Sequence, residues 1–348
     1  MKGTSVHLRG LTKHFGPVAA LQALDLDIHA GELVAFLGPS GCGKTTTLLM
    51  IAGIYRPTAG EIAFGERRID HLHPRDRDVG MVFQSYALYP HLSLFENIAF
   101  PLRLRRQPRT AIDDKVRQTA TLLGIEEVLD RRPGQVSGGQ QQRAALARAL
   151  VKEPQVLLLD EPLSNLDAQI RLQARGEIRR LQQELGITSL LVTHDQAEAL
   201  AMADRIAVFS QGVLQQFATP DELYRRPANT FVARFVGHPP MNLLAGQFEE
   251  GYLVAAGFHM PVPPGHPRGP GTLGIRPEDA TLDGDLPARV TVIEPLGRET
   301  LVTLRLGDAD VKVLTDPATR PRLGAEVRVG YRQDLVHLFD QAGRRLGP

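Results

Sequence analysis

This 348-residue chain has little cysteine, few aromatics and no surplus of charge of either sign. The single cysteine, Cys42, excludes an internal disulfide and suits a reducing compartment. Lys plus Arg number 40 against 39 Asp plus Glu, a net charge of +1, so the strong basic excess of a general polyanion binder is missing. No apolar run reaches the roughly 18 residues that a membrane-spanning helix needs. The opening Met1-Lys2-Gly3-Thr4-Ser5-Val6 lacks the apolar core of a signal peptide. No internal repeat is visible. These absences predict a soluble, cytoplasmic protein. Its 43% hydrophobic and 23% charged composition is that of ordinary globular domains, and its length suggests two or three of them.

Residues 1–240 alternate strand and helix signals, which predicts an α/β domain with a mostly parallel sheet. Residues 32–37 read as a strand, followed by a glycine-rich turn and a helix over 45–52. Short apolar runs at 155–159, 189–192 and 206–209 have the length of buried strands. Ile170, Ala174, Ile178, Leu181 and Leu185 recur at helical spacing, with Arg171, Arg175 and Arg179 on another, solvated face. Those arginines are not interleaved with aromatics, as a nucleic-acid groove would require. Residues 86–150 read as an inserted helical subdomain, with Arg103, Arg105, Arg106 and Arg109 in an exposed connection. From 241 to 348 the texture changes. A stiff Pro-rich loop over 261–270 precedes alternating segments at Val290 and Val292, at Val302, Leu304 and Leu306, at Val311 and Val313, and at Val327, Val329 and Tyr331. That spacing predicts a small all-β barrel or sandwich.

Gly38-Pro39-Ser40-Gly41-Cys42-Gly43-Lys44-Thr45 matches the phosphate-loop pattern G-x-x-x-x-G-K-[ST], with a strand before it and a helix after it. Its glycines let successive backbone N–H groups curl inward at phosphate oxygens, and the helix N-terminus adds a favourable dipole. Lys44 supplies a point charge to the β and γ phosphates and Thr45 a hydroxyl to Mg²⁺. Thr46 continues the loop into the helix. Cys42 reads as a small residue rather than a redox centre. Val156-Leu157-Leu158-Leu159-Asp160-Glu161 is an apolar strand ending in two acids, where ligands sit in such sheets. Asp160 fits as the Mg²⁺ partner of Thr45, and Glu161 as the residue that polarises the attacking water.

Val136-Ser137-Gly138-Gly139-Gln140 offers a hydroxyl, two glycines and a helix start at Gln140, a second anion receptor; an ordinary helix cap at Ser137 is the alternative. The segment is close to the signature L-S-G-G-Q, and here the chain resembles the ATP-binding subunits of ABC transporters. Further elements of that family occur in order. Phe15 resembles the aromatic that stacks on adenine, with a core phenylalanine as the alternative. Gln84 resembles the glutamine that touches Mg²⁺ and water and senses the membrane subunit. Ser164-Asn165-Leu166-Asp167 resembles the loop that crosses a dimer interface, bringing Asp167 to the nucleotide. His194 resembles the switch histidine at the γ-phosphate. Val136 replaces the usual leucine, and Gln141 stands where arginine is commoner.

The resemblance covers nearly the whole chain and is closest to importers of sugars and glycerol 3-phosphate. Gly237-His238-Pro239-Pro240-Met241-Asn242, Gly274-Ile275-Arg276-Pro277-Glu278-Asp279 and Leu335-Val336-His337-Leu338-Phe339-Asp340 support that subgroup. The resemblance implies a phosphate-loop ATPase core and a C-terminal regulatory domain like oligonucleotide-binding barrels, without nucleic-acid binding. It implies a homodimer holding two Mg-ATP between Lys44, Thr45, Gln84, Asp160, Glu161 and His194 of one copy and residues 137–140 of the other. Partners would be two membrane permeases and, indirectly, an extracytoplasmic solute-binding protein, with the chain peripheral on the cytoplasmic side of the membrane. A soluble or exporter-type ATPase of the same family is the competing expectation. Lys44→Ala is expected to weaken ATP binding itself; a titration showing unchanged affinity would count against the phosphate-loop reading.

Overall fold

The structure, a computed structural model, describes residues 3–255, 257–263 and 268–347. Two compact units divide after Pro220. The first unit holds β1 (Val6–Phe15), β2 (Val18–Ile28), β3 (Leu33–Leu37), α1 (Lys44–Ala52), β4 (Ala59–Phe64), β5 (Arg67–Arg68), β6 (Val79–Val82), α2 (Leu94–Leu104), α3 (Arg109–Leu123) and α4 (Gly138–Leu150). It continues through β7 (Val156–Asp160), α5 (Ala168–Leu185), β8 (Thr188–Thr193), α6 (Gln196–Met202), β9 (Arg205–Ser210) and β10 (Val213–Ala218). Its central sheet has the order β10-β9-β3-β8-β7-β6, parallel except for the antiparallel edge strand β10. β3, β7 and β8 are buried at every residue, which explains continuous apolar runs where a one-sided sheet would alternate. A second, antiparallel sheet has the order β2-β1-β4-β5 and shares a core with α1 and the central strands.

The helical segment begins later than the expected residue 86. Tyr86 and Ala87 are both left-handed, at φ +61° and +49°, and α2 starts at Leu94 behind a capping box between Ser93 and Glu96. Leu94, Ile98, Leu102, Ile112, Val116, Ala144 and Ala147 from α2, α3 and α4 form its own core. Arg103, Arg105, Arg106 and Arg109 are exposed, as the sequence suggests. The α5 arginines differ from the expected solvated face. Arg179 forks onto Asp204, Arg171 donates to the Leu166 carbonyl and Arg175 to that of Ala197. The helical period marks them as off the core but cannot show which neighbouring segments they bond. Arg77, only 2% exposed, donates to the carbonyls of Met50 and Ile51 at the end of α1 and to those of Asp70 and Leu72. It thereby adds donors at a helix end where the Gly53 N–H reaches only Leu49 and Met50.

The second unit carries α7 (Pro220–Arg225), α8 (Thr230–Phe235) and strands β11 (Asn242–Glu249), β12 (Tyr252–Ala255), β13 (Phe258–Pro261), β14 (Gly269–Ile275), β15 (Ala280–Pro295), β16 (Thr300–Leu306), β17 (Ala309–Thr315), β18 (Glu326–Tyr331), β19 (His337–Asp340) and β20 (Arg345–Leu346). Two sheets, β13-β12-β11-β14-β19-β20 and β17-β16-β15-β18, enclose one apolar core. The boundary expected at 240 lies inside this unit, because α8 is tied into it. Arg276, 2% exposed, donates to the carbonyls of Ala233, Val236 and Tyr224, capping the end of α8. Of the expected loop over 261–270, residues 264–267 lie outside the described residues; Pro261 ends β13 and Gly269 begins β14. Val290 and Val292 were expected on one face. An extra residue in β15 shifts the register between them, so Val290 is buried and Val292 is 45% exposed.

The segments at 237–242 and 335–340 also help hold this unit together. The Asn242 amide pairs with both backbone groups of Lys312, joining β11 to β17. His337 is buried, with its Nδ1 2.8 Å from Arg345. Desolvation, with the nearby charges of Arg345 and Arg276, pulls its pKa from 6.5 down to about 4. The folded unit therefore keeps His337 neutral where the unfolded chain takes up a proton. The stability this contributes is complete above about pH 6.5 and is lost as pH falls to about 4. His337→Gln is expected to flatten that acid limb in denaturation measured between pH 7 and 4; a slope equal to the parent's would contradict the assignment.

Candidate functional site

The site is assembled at the carboxyl ends of four parallel strands. Their register sets them level: Leu37 lies opposite Thr193, Asp160 opposite Val192 and Val82 opposite Leu159. The loops that follow carry Gly38 to Thr45, Gln84, Glu161 and His194. Such strand ends are where ligands sit in open α/β sheets.

The phosphate loop requires its glycines sterically. A Cβ on Gly38 would fall 2.4 Å from the Phe209 carbonyl oxygen and 2.7 Å from Cys42 Sγ. Gly43, at φ +103°, would place one 2.5 Å from the Ala20 oxygen. Gly43 caps α1 with no side-chain bond, and no acid occupies the first turn, so that helix end keeps its positive dipole uncompensated. Pro39, Ser40, Gly41 and Thr45 lie exposed at the mouth, with Thr46 half-buried beside them. The buried Lys44 ammonium donates to the carbonyls of Gly38 at 2.7 Å and Pro39 at 2.9 Å. Cys42 is 3% exposed and packs into the core, its sulfur 3.6 Å from Lys44 Nζ.

Thr45 donates its hydroxyl to Asp160 Oδ1 at 3.1 Å. Asp160 is buried, and burial pushes its carboxyl above the usual carboxylate range, against the opposing Thr45 bond. A buried carboxylate beside a hydroxyl is a hard-oxygen donor pair that suits Mg²⁺, and a cation there would relieve the desolvation. Among the described residues no group of three or more His, Cys, Asp and Glu could hold a metal unaided. The donor pair therefore fits a cation that takes its remaining ligands from phosphate and water.

Glu161 adopts φ +45°, a left-handed turn whose cost for a side-chain-bearing residue is about 1–2 kcal/mol. Its N–H donates to the Val192 carbonyl at 2.9 Å, and its own carbonyl accepts from Ser164 Oγ. The turn aims the carboxylate at two neighbours. Oε2 accepts from Gln84 Nε2 at 2.9 Å, and Oε1 lies 3.2 Å from His194 Nδ1. The Gln84 carbonyl accepts from Asn165 at 2.6 Å, and the carbonyls of Tyr86 and Ala87 accept from Arg148. The His194 side chain is 61% exposed.

Residues 137–140 are arranged differently from the expectation. The helix starts at Gly138 rather than Gln140, with Ser137 as N-cap in a reciprocal box: Gln140 N–H donates to Ser137 Oγ, and Ser137 N–H to Gln140 Oε1. Gly138 and Gly139 face Leu166 and Ile170, where a Cβ would come within 3.3 and 3.4 Å. Asp167 N-caps α5 through the N–H of Ile170. Among the described residues no hydrogen bond or ion pair links residues 137–140 to residues 38–45. Phe15 is 43% exposed, so the core alternative is excluded. It meets Tyr55 edge-on at 5.3 Å, and the Lys13 ammonium lies 4.8 Å from the Phe15 ring centre. Sequence reasoning missed Tyr55, whose signal is an aromatic just past the glycine that ends α1. It also missed Arg148 and the Arg143–Glu177 fork between α4 and α5.

Comparison with known proteins adds an independent line. The family model described as ABC transporter matches residues 21–164, and one described as TOBE domain matches 273–339. The trehalose/maltose import ATP-binding protein MalK of Thermococcus litoralis is 46% identical, over 97% of this chain and 97% of its own. The sn-glycerol-3-phosphate import ATP-binding protein UgpC of Ruegeria pomeroyi is 44% identical, over 98% of this chain and 99% of its own. Among solved structures, a dimeric bacterial ABC transporter cassette superposes with a TM-score of 0.56 at 30% identity, over 62% of this chain and 98% of its own.

Because burial raises the Asp160 pKa, the folded state binds its proton more tightly than the unfolded chain does. Its charged form thus costs stability above the raised value, and that cost vanishes as pH falls toward 3.8. Asp160→Asn is expected to raise the nucleotide-free Tm at pH 7.5, with the gain shrinking by pH 4.5; an unchanged or lower Tm at pH 7.5 would refute the desolvation argument.

Proposed function

Since the chain belongs to the ATP-binding subunits of ABC transporters, and its relatives over nearly full length are import proteins, we propose that it powers uptake of a sugar, glycerol 3-phosphate or a related solute. The observation that carries the reading is the cluster of Lys44, Thr45, Asp160, Gln84, Glu161 and His194 at one rim of the sheet, without residues 137–140. A receptor for the γ-phosphate separated from its own loop asks for a second copy. Two chains then enclose two ATP molecules, each between the phosphate loop of one and Ser137, Gly138, Gly139 and Gln140 of the partner subunit, with Asp167 at the seam. Full-length import relatives favour this over a soluble or exporter-type ATPase.

Each residue has a chemical task in that sandwich. Phe15 offers its exposed face to adenine. Lys44 exchanges its carbonyl partners for the β and γ phosphates, and the N–H groups at the start of α1 receive the same oxygens. Thr45 and Asp160, with Gln84 as a further oxygen donor, would hold Mg²⁺, which would supply positive charge against that developing on the phosphate. Glu161 orients the attacking water and accepts its proton, while His194 meets the γ-phosphate and leaves the Glu161 carboxylate free to turn. Water's oxygen bonds to the γ-phosphorus as the bond to the β-phosphate oxygen breaks, giving ADP and phosphate. The loop at Gln84 passes this cycle to two membrane permeases, with a solute-binding protein outside. No helix of the described residues is long and apolar enough to cross a membrane, which suits a peripheral position on the cytoplasmic face. The second unit, from Asp221 onward, serves as a regulatory domain rather than a nucleic-acid binder.

Glu161→Gln keeps the shape and removes the base. Turnover is expected to fall by about 10²–10⁴ while ATP binding persists and a nucleotide-loaded dimer accumulates in size-exclusion chromatography. Turnover near the parent's would remove Glu161 from its role.

A further inference from the structure

We propose that Arg148 is a positioning residue that makes the signature helix α4 and the loop after Gln84 move as one piece, and so couples the two ATP sites of the dimer. The inference rests on the split-site reading above and goes beyond it. The Arg148 guanidinium reaches from α4 to the carbonyls of Tyr86 at 2.7 Å and Ala87 at 2.6 Å. These are consecutive left-handed residues just past Gln84, a conformation that side-chain-bearing residues hold only when surrounding contacts impose it. The clamp is part-buried at its Tyr86 end and exposed at its Ala87 end, and burial lowers the arginine's pKa. The Tyr89 ring lies 5.9 Å from the guanidinium, and Tyr89 is tied in turn to Asn97 of α2 through both backbone groups. The loop therefore has little freedom to move without α4.

The two ends of this unit serve different ATP molecules. At the N-terminus of α4, residues 137–140 face the nucleotide held by the partner subunit. At the Arg148 end, the clamped loop presents Gln84 to Glu161 of the same chain at 2.9 Å. Docking of residues 137–140 on one ATP thus shifts the Gln84–Glu161 pair that works on the other. Arg143, bonded to Glu177 through Nε and Nη2, fastens α4 to α5 at the same time, so that Asp167 follows the signature. Arg148 touches neither nucleotide. Its effect runs through Gln84.

The test is ATP hydrolysis by the full chain as a function of ATP concentration. With two coupled sites the parent is expected to show a Hill coefficient well above 1 and approaching about 2. Arg148→Ala is expected to bring it to about 1 and to lower turnover by about 10- to 100-fold, while ATP affinity at limiting occupancy stays within about twofold. Arg148→Lys reaches one carbonyl and should give intermediate cooperativity, which decides the matter if the alanine variant does not fold. A parent Hill coefficient of about 1, or variants as cooperative as the parent, would overturn the proposal. A purely structural role would instead lower Tm, affinity and turnover together, and that result also overturns it. Gly139→Asp separates the underlying reading: if it hydrolyses ATP like the parent, the split site itself fails, whatever Arg148 does.

Discussion

Everything at the site hangs on the register of the parallel ladder formed by β6, β7, β8 and β3. Val82, Leu159 and Leu191 lie side by side, and one step further Asp160 meets Val192. β3, β7 and β8 are buried on both faces, so a slip by one residue would turn side chains that fill one core layer into the other. Because the ladder holds, four loops distant in sequence leave the sheet at one level. The acid after β7, the glutamine after β6 and the histidine after β8 then meet within hydrogen-bond reach without any of them being near the others in the chain.

Arginines do the work of joining elements. Arg77 closes the end of α1, Arg276 closes the end of α8, and Arg148 holds the loop after Gln84, each by donating to several backbone carbonyls. A planar guanidinium with five donors suits this task, since one side chain can satisfy carbonyls from two elements. A share of the arginines thus face inward onto carbonyls or fork onto acids such as Glu177 and Asp204.

The phosphate loop and the segment at 137–140 show opposite ways of preparing a helix start. Gly43 leaves α1 uncapped by any side chain, whereas Ser137 and Gln140 cap α4 reciprocally. The first end is open to an anion. At the second, Ser137 Oγ and Gln140 Oε1 each accept the other residue's backbone N–H, so the cap uses acceptors and leaves the Ser137 O–H and the Gln140 Nε2 group as donors toward a partner's nucleotide.

The sequence alone determined what is local. Loop chemistry at 38–45, two acids at a strand end and the S-G-G-Q segment carry their meaning in consecutive residues, and the apolar runs of β3, β7 and β8 reveal strands covered on both sides. Tertiary structure alone decided what depends on neighbours far along the chain. Val292 turned outward because β15 takes an extra residue against β16, and the α5 arginines found partners in neighbouring segments that no helical period could reveal. Residue 240 did not end the first unit, since a buried arginine at 276 reaches back to α8. Arg148 reads as one more charged residue in a helix until the fold brings two strained carbonyls to it. Covalent order fixes which groups are adjacent in the chain, but hydrogen-bond partners across the fold are set by packing, and packing is a property of the whole.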